Sequence, residues 1–145
     1  MRTEELEEYM LRDPYISQYF GGVVALDQLP KVIKKPSMFI VNTDPSSLPG
    51  RHWLVVFFTR INEHFDSAGF YPIKPIEAEL IAHGPRFQYN NTRVQAFHSE
   101  TCGLFCLFYC YFRSRGYSFS QIMNMFSNNL IVNEHLVKYF YKITS

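Results

Sequence analysis

The sequence predicts an α+β domain in which a mainly antiparallel central sheet packs against a buried, cysteine-bearing helix. Three observations lead there. His52 to Thr59 (HWLVVFFT) is continuously apolar, so it reads as a central strand covered on both faces rather than a half-exposed one. Cys102 to Arg115 is apolar nearly all round, which marks a buried helix. Strand-like runs fill the middle of the chain and helical runs the last third, the segregation expected of an α+β fold. No internal repeat or linker interrupts the pattern, and residues 1–145 are expected to form one domain.

Taken in order, Thr3 to Leu11 reads as an amphipathic helix capped by Thr3, with Leu6, Met10 and Leu11 as its apolar edge and Asp13-Pro14 as its stop. Gly21-Gly22 and Pro30 make the next stretch loop-like. Ser37 to Asn42 (SMFIVN) is a short strand ended by the turn residues Asp44 to Gly50. After the central strand, Arg60-Ile61-Asn62 supplies a tight reversal, and Glu63 to Ser67 returns beside it. Pro75 to His83 reads as a short helix, with proline at its start and Gly84-Pro85 as its stop. Arg86 to Val94 offers a further strand. Gly116 ends the buried helix, and Ser118 to Phe126 and Asn129 to Lys142 read as two more helices.

Composition narrows the class. At 47% hydrophobic and 17% aromatic, with 14 Phe and 10 Tyr, the chain is no disordered segment. A net charge of +1 demands no nucleic-acid partner, although Arg113, Arg115, Lys138 and Lys142 could form a local basic patch. The three cysteines crowd between positions 102 and 110, unlike an even, spread disulfide framework, which favours a reducing intracellular setting. The opening MRTEELEEYMLRD has no signal-peptide character, and the apolar run Cys102 to Phe112 is about half of the ~20 residues needed to span a bilayer. A soluble protein that is not secreted is expected.

The chemistry concentrates at Gln95-Ala-Phe-His-Ser-Glu-Thr-Cys102-Gly103. A cysteine at a helix mouth gains thiolate character from the unpaired N–H groups and dipole of the first turn. Gly103 lets backbone approach a substrate closely. The Cys102 N–H and the Gln95 amide form a candidate oxyanion hole. Cys106 and Cys110 lie one and two turns deeper and read as core. His98, Cys102, Cys106 and Cys110 recur every four residues but would span about 18 Å of helix, so one tetrahedral zinc site cannot use them all, and no metal is expected. His52 opens the central strand after a Pro-Gly turn and is the candidate base, with His64 as its rival. Asp66 is either a solvated strand-end carboxylate or the group that orients the imidazole. Trp53 is either core packing or the cover of a narrow substrate groove.

Phe39-Ile-Val-Asn42-Thr43, His52-Trp53, Phe65-Asp66 with Gly69-Phe70, and Gln95-x6-Cys102-Gly-Leu-Phe-Cys106 together resemble, in the same order, the adenovirus maturation protease (adenain) family. An echo from Tyr19-Phe20-Gly21 to Leu29-Pro30 extends the likeness over most of the chain. The resemblance implies a papain-related cysteine endopeptidase fold, akin to the SUMO-specific proteases, with the site between the sheet and the cysteine helix. It implies Cys102 as nucleophile, His52 as base, Asp66 as orienting acid, Gln95 as oxyanion donor, and Trp53 and Gly103 at the substrate. Substrates would carry small residues, typically Gly-Gly, before the cut, as in capsid precursors of a virus or virus-like element. The enzyme would then work in the host nucleus or cytoplasm, or in the virion.

The chain departs from that family in several respects. Asp66 stands where the family has Glu, and the hairpin between His52 and Asp66 is shorter. No cysteine precedes Cys102, so the family's disulfide to an activating peptide cannot form, and the near-neutral charge gives no support for DNA activation. The chain also ends sooner, so the family's C-terminal surface is expected to be missing. A monomeric, cofactor-independent protease is the resulting expectation. The alternatives are a protease for SUMO or ubiquitin-like modifiers, an acetyltransferase on a related His–acid–Cys core, and a catalytically silent binding module.

Overall fold

A computed structural model describes residues 1–44 and 52–145. The turn expected over Asp44 to Gly50 falls, apart from Asp44, outside the described residues. A five-stranded sheet organises the chain, in the order β1 (Phe20–Ala25), β2 (Ser37–Asn42), β3 (Trp53–Phe58), β4 (Asn62–Phe65) and β5 (Phe87–Tyr89). The central three strands are antiparallel, as expected, and each edge strand joins its neighbour in parallel. The helices are α1 (Thr3–Arg12), α2 (Lys74–Ala82), α3 (Cys102–Ser114), α4 (Phe119–Met123) and α5 (Leu130–Thr144). None is long and apolar enough to cross a membrane.

Both faces of the sheet are covered, which explains the unbroken apolar reading of β3. Side chains alternate along a strand, so Trp53, Val55 and Phe57 face the core that includes α1, α3 and α5. Leu54, Val56 and Phe58 face Ile76 and Leu80 of α2 on the other side. All six β3 residues are buried. Helix α3 lies on the first face with Phe105, Leu107, Phe108 and Tyr109 buried. It is tied to β4 by charge as well: Glu63, 1% exposed, accepts from Tyr109 Oη and from Arg113 Nη2 at 2.8 Å.

Several expectations change. The loop-like stretch around Gly21-Gly22 is strand β1, running parallel to β2 with a bulge between Phe20 and Gly22. Glycine weakens a strand signal, but here it makes room: a Cβ on Gly21 would lie 2.5 Å from the Phe39 ring. Strand β5 stops at Tyr89, and residues 90–95 instead build the loop beneath the site. Thr3 is the first helical residue of α1 rather than its cap; Glu5 receives the Arg2 N–H at 3.0 Å instead. Helix α4 is shorter than expected because Met125 and Phe126 turn into tighter bonds to Ile122 and Met123. Asn129 caps α5, accepting from Ile131 and Val132. The basic patch is broken up, since Arg113 is paired with Glu63 and Arg115 with Asp13, each at 2.8 Å.

Candidate active site

Two strand ends and one helix mouth converge. His52 directly precedes β3, where its carbonyl accepts the Thr43 N–H at 3.0 Å. Asp66 directly follows β4. The hairpin between them is set by Asn62, whose side chain accepts from the Thr59 N–H and donates to the Leu80 carbonyl, both at 3.0 Å. With Val55 opposite Phe65, the hairpin brings Asp66 back alongside His52. His52 Nε2 donates to Asp66 Oδ1 at 2.6 Å. Cys102 is the first residue of α3, and its thiol and the His52 imidazole each favour the other's charged form. Since Asp66 takes Nε2, Nδ1 is the nitrogen left for the sulfur.

Asp66 is held from three sides. Its Oδ1 also accepts the Ala68 N–H at 2.8 Å, its own N–H donates to Asn90 Oδ1 at 3.0 Å, and Asn90 Nδ2 donates to its carbonyl at 2.5 Å. Gly69 turns the chain just beyond, with φ +79 and no space for a side chain: a Cβ there would meet the backbone of Thr92 and Arg93 at 2.6 Å.

The electrostatics favour a charged pair. Burial opposes an imidazolium, yet the hydrogen bonds to Asp66 and Cys102 and the charge of both raise His52 to about 10. Burial likewise opposes a thiolate. The hydrogen bond from His52, the Trp53 N–H at 3.4 Å from Sγ, the His52 charge and the Gly103 N–H outweigh it, and hold Cys102 below its ordinary value. Cys106 and Cys110, buried on the same helix without such partners, are pushed up instead.

Gln95 lines the same cleft as His52, Trp53, Ser99 and Cys102, a space of about 440 Å³. Its amide is oriented at both ends: Oε1 accepts from Ser67 Oγ at 2.5 Å, and Nε2 donates to the Ser99 carbonyl and Oγ, each at 3.0 Å. An oxyanion drawing on this amide would replace one of the Ser99 contacts. Trp53 is 7% exposed, and its indole N–H donates to the Met1 carbonyl at 3.1 Å. Gly103 lies under the Met1 side chain, where a Cβ would come within 3.2 Å.

All six residues singled out from the sequence thus meet at one place. The rival base His64 does not reach the thiol; it is buried in β4 with neither ring nitrogen partnered among the described residues. Sequence reasoning missed Asn90, Ser67, Ser99 and Glu134. Glu134 of α5, 6% exposed, accepts the Ala96 N–H at 2.9 Å and the Thr101 hydroxyl at 2.8 Å, and it also receives Ser99 Oγ at 3.2 Å. It therefore ties down the loop between Gln95 and Cys102. The only signal for it was a carboxylate beside the apolar stripe of α5, which says nothing of a partner loop.

No family model matches the sequence, and no curated protein matches it. Solved structures do resemble it in fold. The ASFV pS273R protease superposes with a TM-score of 0.59 at 19% identity, covering 83% of this chain and 60% of that one. The chain therefore spans about three-fifths of the length of that protease. The central domain of the uncharacterized Lpg1148 protein from Legionella pneumophila superposes with a TM-score of 0.54 at 13% identity, covering 100% of this chain and 98% of that one. At such identities the common property is architecture: the chain has an α+β fold, with a five-stranded sheet and a helix bearing buried cysteines, similar to that of the ASFV protease.

Proposed function

We propose that the protein is a cysteine endopeptidase. The observation that carries this reading is the Asp66–His52–Cys102 relay, with a 2.6 Å carboxylate–imidazole bond and a thiol at a helix N-terminus. The fold likeness to the ASFV protease points the same way. In the reaction, Cys102 Sγ attacks the scissile carbonyl carbon, whose oxygen takes the charge and is met by the Cys102 N–H and the Gln95 amide. The protonated His52 then gives its proton to the departing nitrogen, leaving a thioester on Cys102. Water, deprotonated by His52, attacks the thioester and restores the thiol. Asp66 holds the imidazole and supports its positive charge without taking the proton.

The finer reading follows the motifs. Adenovirus-type processing after small residues suits a cleft bordered by Trp53, Gln95 and Cys102, and capsid precursors of a virus or virus-like element are the proposed substrates. The protein would act as a monomer without metal, peptide or DNA. A fluorogenic peptide ending in Leu-Arg-Gly-Gly tests the chemistry: Cys102→Ala and His52→Ala are each expected to lower kcat by about a thousandfold or more. Release from a SUMO or ubiquitin fusion, compared with cleavage of a Gly-Gly capsid peptide, separates the modifier-protease alternative. Consumption of acetyl-coenzyme A with no peptide cleavage would replace the endopeptidase reading by acyl transfer. A folded wild type inert toward all of these, with DNA and capsid peptides added, would sink it.

A further inference from the structure

Met1 borders the cleft that contains Cys102, and three contacts fix it there. Its carbonyl accepts the Trp53 indole N–H at 3.1 Å. Its side chain lies on Gly103, where an added Cβ would come 3.2 Å from both Met1 Cβ and Sδ and 3.3 Å from Cγ. Two residues on, α1 begins, with Leu6 and Met10 buried in the same core as α3. Gly103 itself is buried and does not line the cleft. A substrate expected to pass over Gly103 therefore meets the Met1 thioether instead.

The geometry of attack decides which part of a substrate reaches that side chain. In the reaction proposed above, the carbon bonded by Cys102 Sγ carries three other groups. Its oxygen is drawn toward the Cys102 N–H and the Gln95 amide, on the side bordered by Gln95, Ser99 and Glu100 of one loop. Its departing nitrogen lies toward Nδ1 of His52, the ring nitrogen that Asp66 does not take. The third group is the α-carbon of the residue before the cut, and the wall left for it is the one made by Trp53 and Met1. Trp53 stands next to the sulfur, with its backbone N–H 3.4 Å from Sγ, and its indole carries Met1.

We propose that the Met1 side chain is a specificity-determining wall of the substrate groove, and that it selects glycine directly before the scissile bond by crowding any β-carbon at that position. Glycine brings no side chain to meet the thioether, whereas alanine brings a methyl group. Methionine is ordinarily an adaptable side chain. Here the carbonyl bond to Trp53 and the packing of Cβ, Cγ and Sδ on Gly103 leave it little room to swing. Gly103 acts through the same contact, since a side chain there would lift Met1 off the mouth of α3 and into the groove.

This inference rests on the endopeptidase reading, and the test keeps the two apart. Met1→Ala and Met1→Leu are released from an N-terminal fusion by an unrelated protease, beside wild type released in the same way. Quenched fluorescent peptides place Gly-Gly or Gly-Ala before the cut. Wild type is expected to favour Gly-Gly in kcat/KM by about tenfold or more, the worth of one misplaced methyl group in a fitted pocket. Met1→Ala removes the thioether and should bring that ratio to about threefold or less. Met1→Leu restores the bulk and should keep the ratio near its wild-type value. Equal cleavage of both peptides by wild type, a ratio unmoved by Met1→Ala, or a ratio lost as fully in Met1→Leu overturns the proposal. If wild type cleaves neither peptide, the endopeptidase reading fails first, and the wall is judged by alkylation of Cys102 with acetyl-Gly-Gly and acetyl-Gly-Ala chloromethyl ketones. A faster reaction with the glycine compound that evens out in Met1→Ala upholds the wall. Equal rates in wild type, a preference unmoved by Met1→Ala, or no reaction with either compound removes it.

Discussion

Three cysteines on one helix show how much a residue's chemistry depends on what surrounds it. Cys102, at the helix mouth, is held toward the thiolate, whereas Cys106 and Cys110 are held as thiols by burial. Iodoacetamide should therefore alkylate Cys102 alone in the native protein, with the other two reacting only in denaturant; peptide mapping reads this directly. The pair also sets a pH window. As pH falls through the depressed pKa of Cys102, the thiolate is protonated and the proposed peptidase activity is expected to drop. As pH rises through about 10, His52 loses the proton that the leaving nitrogen needs, and activity drops again. Asp66→Asn removes the charge that raises His52, so the alkaline limb should move down by roughly 1–3 pH units. An unmoved limb in a kcat/KM profile would show that Asp66 does not tune the base. His52, Cys102 and Gln95 were legible in the sequence because each sits at a boundary between a turn and an apolar run. Asp66 was ambiguous there, since its role depends on a 2.6 Å contact made across a hairpin.

Among elements, the loop between Gln95 and Cys102 matters most. It has no regular structure to hold it, and it carries both proposed oxyanion donors. Glu134 on α5 supplies the hold through Ala96, Ser99 and Thr101. Glu134→Ala strips the Ala96 N–H and the Thr101 hydroxyl of their acceptor. The expected loss is about tenfold in kcat with little change in KM, together with about 1–3 kcal/mol of stability. Glu134→Gln keeps one acceptor oxygen and should recover part of the kcat. A parallel loss in both variants, or an effect on KM alone, would mark Glu134 as merely structural. The apolar period of α5 was readable from residue spacing. Its polar partner, more than 30 positions upstream, was not, because hydrogen-bond partners distant in sequence leave no local pattern.

At the scale of the molecule, the site depends on α3 staying fixed to the sheet. Aromatic stacking contributes, with Phe65 and Tyr109 rings 4.8 Å apart. The Glu63 carboxylate contributes as well, gripping Tyr109 and Arg113 from inside the core. Glu63→Ala leaves the Arg113 guanidinium, 23% exposed, without its partner and should cost about 3 kcal/mol, read as a lower urea midpoint at unchanged slope. An unchanged midpoint would mean that packing alone secures the helix.

The sequence by itself determined the α+β class, the doubly covered central strand, the buried helix and the residues with the right chemistry. Those properties are local: apolar period, turn residues, and a cysteine where a helix begins. Tertiary structure alone decided that Gly21-Gly22 belongs to an edge strand, because only the Phe39 ring packed on Gly21 explains the missing side chains. It alone set the Asp66 carboxylate 2.6 Å from His52 while burying His64 in β4 without a partner among the described residues, and it gave Arg113 and Arg115 internal carboxylate partners. Each of those outcomes depends on which residues meet across the sheet, and that is settled by strand register and helix packing rather than by neighbours along the chain.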